Sequence, residues 1–145
     1  MQTLVHIHSG WRWVVLILLL AAIFKSFSMW RSKKECTPKD VKLAMFAMIA
    51  FHIQWLVGLI MYFMSPKVNF VAGMMKDSVL RFYGIEHIFG MTVAFVLITM
   101  GYSKSKKISE SEKKFKTIFW YYFIALLIIL ATIPWPFRAL GGQWF

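Results

Sequence analysis

Long apolar runs separated by short basic segments set the pattern of this chain. No charged residue occurs over 43–66, a run of 24 residues, or over 117–137, a run of 21. About 20 helical residues cross a hydrocarbon core of about 30 Å, so each run is long enough to span a bilayer. With two further apolar stretches the pattern predicts four helices, over residues 6–29, 41–64, 80–102 and 116–133. The connections are short, so the expected fold is all-α: an integral membrane four-helix bundle running up-down-up-down, as one domain over 1–145, with both termini outside. Residues 65–77, with Pro66 and Gly73, read as the longest outer loop. Pro134, Trp135 and Pro136 end the fourth helix, and Trp144 and Phe145 follow as interfacial anchors.

Composition agrees with this pattern and narrows it. Hydrophobic residues make up 59% of the chain and charged residues 16%, which excludes an ordinary soluble domain, a disordered chain and a disulfide scaffold. The 17 Lys and Arg against 6 Asp and Glu give a formal net charge of +11. Twelve of the 17 fall in two clusters: Lys25, Arg31, Lys33, Lys34, Lys39 and Lys42, then Lys104, Lys106, Lys107, Lys113, Lys114 and Lys116. The positive-inside rule puts both clusters in the cytoplasm, which for a bacterial inner (plasma) membrane leaves the N- and C-termini periplasmic. The basic residues are thus accounted for by topology and by anionic lipid headgroups, and nucleic acid is excluded as a partner. No Lys or Arg precedes Arg12, so the first apolar stretch is expected to stay in the mature protein. Cys36, the single cysteine, falls on the reducing side and has no disulfide partner in the chain. Trp11, Trp13, Tyr62, Tyr83 and Trp135 form the outer aromatic belt, and Trp30, Trp120, Tyr121 and Tyr122 the inner one.

An ionisable side chain inside a membrane helix is costly, so each one raises a functional question. The set is His6, His8 and Arg12 on helix one, His52 with Gln54 on helix two, and Glu86 with His87 on helix three, with Arg138 just beyond helix four. His8 lies 17 residues from Lys25, and His87 lies 17 residues from Lys104. Both therefore stand about 25 Å above the inner boundary, whereas His52 stands close to the midplane. A haem held between two helices needs an imidazole from each at matched depth, which His8 and His87 provide. Gly84 and Gly90, at i−3 and i+3 from His87, leave room for a flat ring or for another helix. Arg12 or Arg138 could pair a propionate, or either could pair Glu86 as a structural ion pair. His52 is open between a substitute iron ligand, a second cofactor site and an interhelical hydrogen bond. His6 reads as a polar terminus at the headgroups. Met61, Met64, Met74 and Met75 near the outer loop raise copper, but they form no tight methionine array. No hydrolase or phosphate-binding motif is present.

The opening His8-Ser9-Gly10-Trp11-Arg12-Trp13, the pair Glu86-His87 and the closing Ile133-Pro134-Trp135-Pro136-Phe137-Arg138 resemble those of small four-helix bacterial membrane proteins labelled "cytochrome B". The resemblance covers nearly the whole chain, and it implies haem b as the cofactor. A weaker likeness is to the small membrane protoporphyrinogen oxidases, which also place a histidine near the outer start of helix one. Their remaining motifs are not matched, so their activity is not carried over. The expectation is a b-type haem between His8 and His87. Electrons would be exchanged with a quinone pool or a respiratory membrane complex, and a homo-oligomer is left open. The rival expectation is a non-catalytic accessory or assembly subunit without haem. A third is a haem-free quinone-handling enzyme using Glu86, Arg12 and His52.

Overall fold

A computed structural model describes residues 2–142 and Trp144, and among them the chain is all-helical, without strands. Four helices are long and apolar enough to cross a membrane: α1 (Gln2–Ser32), α2 (Lys42–Met64), α3 (Ser78–Lys106) and α4 (Ser111–Thr132). These are the four segments expected, and the differences lie at their ends. α4 begins at Ser111 rather than 116, and α3 ends at Lys106 rather than 102, because lysine-rich turns favour helix and continue it into the polar region. α3 starts where the Asp77 carboxylate accepts from the backbone N–H groups of Val79 and Leu80, both at 2.9 Å. Phe145, expected as an anchor, lies outside the described residues.

α1 packs against α2 and α4, α3 packs against α4, and α2 completes the ring against α3. The interior sets small residues of α2 and α3 against larger ones such as Leu19, Phe115, Ile118 and Tyr122. α2 turns Ala44, Ala47, Ala50, Phe51 and Gln54 inward, and α3 turns Gly90, Ala94, Ile98, Gly101 and Ser105 inward. Many bulky apolar side chains also stand outside, with Phe24 70%, Phe63 79% and Phe89 70% exposed. Lipid solvates such residues as well as a core would, so close packing through small residues is what holds the helices together. Gly90 receives the side chain of Thr132, and Gly101 receives Tyr121 and Tyr122. Hydrogen bonds to backbone carbonyls add to this: Tyr122 Oη donates to Ala44 O at 2.8 Å, and Trp11 Nε1 donates to Ala50 O at 3.0 Å.

At the basic end, Lys33 Nζ meets Glu112 Oε2 at 3.7 Å, so the end of α1 and the start of α4 lie together. The first linker is pinned by Asp40, which accepts from the backbone N–H and the hydroxyl of Thr37 at 2.9 and 2.6 Å and pairs with Lys25 at 3.0 Å. The two bonds from Thr37, followed by Lys25, pull its carboxyl down to about 2.

Gly90→Ala places a methyl group where the Thr132 side chain now sits, and it should cost about 1–3 kcal/mol. Gly10→Ala meets nothing within 4 Å and should be neutral or slightly stabilising. Thermal unfolding in detergent compares the two. Because the folded carboxyl of Asp40 titrates below the unfolded one, its contribution is complete above the ordinary carboxylate range and is lost as pH falls toward 2. Asp40→Asn should flatten that part of the stability profile between pH 4 and pH 2.

Candidate functional site

His87 sits directly after a π-helical segment, Phe82–Glu86, within α3. A π turn inserts one residue into the helix and re-aims the side chains that follow it. In this position His87 Nδ1 lies 2.7 Å from the carbonyl oxygen of Thr132. The contact is a hydrogen bond only with the proton on Nδ1, which leaves the Nε2 lone pair free.

The acceptor exists because of the way α4 ends. In a continuing helix each carbonyl accepts from the N–H four residues on, and for Leu130 and Thr132 those residues are Pro134 and Pro136, which have none. Side chains take over. Trp135 Nε1 donates to Leu130 O at 2.9 Å, Arg138 Nη1 to Ala131 O at 2.7 Å, and His87 Nδ1 to Thr132 O. Arg138 Nη1 also reaches Ile133 O at 3.2 Å, and its guanidinium lies over Phe82 at 5.0 Å. Arg138 therefore caps α4, where a cation also opposes the negative end of the helix dipole.

His8 approaches from α1. Its ring packs on Gly58 of α2, where an added Cβ would lie 3.0 Å from Cε1, and its backbone carbonyl accepts from Gln54 Nε2 at 2.8 Å. The His8 and His87 rings stand 6.5 Å apart between centroids, at 76° to each other. Two imidazoles that bind one metal ion from opposite sides have centroids roughly 6–6.5 Å apart when each metal–nitrogen bond is about 2 Å. Both rings line one cavity of about 250 Å³. Val15, Leu16, Phe51, Ile129 and Ile133 form part of its apolar wall, and Arg12, Gln54, Tyr62, Lys67 and Tyr83 its polar part. Arg12 is buried, and its Nη2 donates to Trp144 O at 2.9 Å, beside the same acceptor's bond from Trp13 Nε1 at 2.9 Å. Lys67 Nζ lies 4.7 Å above the Tyr83 ring and donates to Gly141 O at 3.2 Å.

Of the polar residues singled out in the sequence, His8, His87, Arg12 and Gln54 come together at this cavity. His52 does not. Its Nε2 is 2.9 Å from the hydroxyl of Thr99, and its ring lies on Phe95 at 4.4 Å. Thr99 gives its own hydrogen to Phe95 O, so the His52 contact is an interhelical hydrogen bond that Thr99 accepts. Gly84 and Gly90 do not line the cavity either; they make room for Met74 and Thr132. Arg138 stays at the α4 cap, and Glu86 pairs with Arg81 at 2.7 Å rather than with Arg12 or Arg138. Met61 lines the cavity while Met74 is buried beneath Gly84. No group of three or more His, Cys, Asp or Glu able to hold a metal occurs among the described residues.

Sequence reasoning did not assign Gly58, Gln54, Lys67 or Thr132 to the site. The spacing of Gln54 and Gly58, four apart and hence on one helix face, was a usable signal, as were the two prolines that free the α4 carbonyls. Lys67 carried none, because only the folded loop brings it to the cavity. Protein-family models, curated proteins and solved structures were all compared with the chain, and none matches it.

Removing the guanidinium by Arg138→Met should cost about 1 kcal/mol by leaving Ala131 O unpaired. The expected readout is a lower unfolding midpoint in detergent, and an unchanged midpoint would remove Arg138 from the cap.

Proposed function

We propose that the protein is a membrane-embedded b-type haem protein that carries electrons between a quinol or a respiratory partner and an acceptor. The observation that carries this reading is the His8–His87 pair, two imidazoles at 6.5 Å on one cavity, one of them held by a backbone carbonyl. Metal-bound histidines commonly give their second ring N–H to such an acceptor. A haem iron held by two imidazoles supplies one-electron chemistry and offers no open position for oxygen. His8 of α1 and His87 of α3 would hold it, with Thr132 keeping the His87 ring in orientation. Arg12 and Lys67 on the cavity wall would take its carboxylates. Val15, Leu16, Phe51 and Ile129 would give it an apolar wall.

The same reading makes the chain an up-down-up-down bundle of the bacterial inner membrane, with both basic segments cytoplasmic and both termini periplasmic. The charge asymmetry supports that orientation, and the meeting of Lys33 with Glu112 supports placing both basic segments at one end of the bundle. The second reading is a haem-free accessory subunit. The interhelical bond of His52 to Thr99 favours it, since it shows that a membrane histidine in this chain can serve packing alone.

The test is a reduced-minus-oxidised spectrum of the detergent-purified protein, with a pyridine haemochrome assay. A sharp low-spin b-type signal is expected, at about one haem per chain. His8→Ala and His87→Ala should each lose it and His52→Ala should keep it. A protein left colourless under adequate haem supply would overturn the reading in favour of the accessory subunit, and haem retained in full by both His8→Ala and His87→Ala would overturn the ligand assignment.

A further inference from the structure

His87 has its second-nitrogen partner in Thr132, but His8 has none: its Nδ1 is buried without a hydrogen bond. On α2, the cavity-lining Gln54 offers the complementary atom. Gln54, only 8% exposed, uses Nε2 on the His8 carbonyl and leaves Oε1 buried without a partner. The two atoms are complementary. An amide oxygen only accepts, and His8 Nδ1 donates whenever Nε2 is the ligating atom. Gly58, one turn after Gln54 on the same face of α2, lies against the ring edge at Cε1.

We infer that Gln54 is the positioning residue for His8: His8 Nδ1–H donates to one bridging water that donates in turn to Gln54 Oε1, which holds the imidazole in the tautomer that presents Nε2. The inference rests on the haem reading above. It gives α2 the role toward His8 that the end of α4 has toward His87. The polar part of the cavity, with two such groups, suits one water, which needs two to four polar partners. Gln54 then has two separable duties, because its Nε2 braces the His8 backbone while its Oε1 serves the ring.

The two duties are separated by two substitutions in the full chain, purified with haem. Gln54→Leu removes both, whereas Gln54→Glu removes the brace and keeps the acceptor. Haem affinity is measured by transfer to an apo-globin, and the midpoint potential by redox titration. Gln54→Leu should weaken haem binding about 10–100-fold, the usual effect of removing an outer partner of a metal ligand. Gln54→Glu should bind nearly as the parent does, with a lower midpoint potential, because a carboxylate acceptor makes His8 more basic and favours the oxidised iron. Equal weakening by both variants would assign Gln54 to the backbone brace and overturn the inference. So would unchanged affinity and potential in Gln54→Leu, while leaving the haem reading intact. A parent protein that takes up no haem overturns that reading itself, and the two failures are thereby told apart.

Discussion

The arrangement depends on one requirement: in a hydrocarbon setting a backbone carbonyl deprived of its N–H must find another donor. Pro134 and Pro136 deprive Leu130 and Thr132 of theirs at the end of α4. Trp135 and His87 supply the replacements, and Arg138 serves the carbonyl between them. The bond that satisfies Thr132 is also the one that orients His87, so the end of α4 and the orientation of a candidate ligand are a single structural fact. Gly90 belongs to it as well, since it lets the Thr132 side chain lie directly on α3.

A second constraint is that apolar burial cannot choose between protein and lipid. The helices are apolar on all sides, so the inward faces are marked by small residues at the close approaches and by the few buried polar side chains rather than by hydrophobicity. Alanines and glycines face in beside a few large side chains, Phe51, Phe115 and Tyr122 among them, while Phe24, Phe63 and Phe89 face out. Small interior residues bring backbones close, and the aromatic donors Trp11 and Tyr122 then reach carbonyls on neighbouring helices. The cavity lies where this tight packing gives way, between His8 and His87 near the ends of the helices.

Particular residues show where sequence reasoning reached and where it stopped. Matched depth singled out His8 and His87 because rise per residue is the same for every helix, and the two rings do meet. Gly84 and Gly90 looked equally suited to a flat ring, since a glycine marks only that something approaches; what approaches is Met74 and Thr132. Arg12 and Arg138 looked interchangeable as cations near one end. Burial at the cavity separates Arg12 from Arg138, which is tied to the α4 carbonyls. Glu86 found Arg81, five residues earlier on α3 across the π-helical segment.

The sequence by itself determined four membrane-length helices and the positions of the few polar side chains within them, because hydrocarbon thickness and helical rise are general quantities that need no knowledge of neighbours. Tertiary structure decided which polar groups share a space. It set His8 beside His87 and sent His52 to Thr99. It brought Lys67 in from a loop and turned a proline-freed carbonyl toward an imidazole. Such pairings depend on the rotation of each helix about its axis and on a one-residue π insertion, and where every face is apolar only the packed structure sets both.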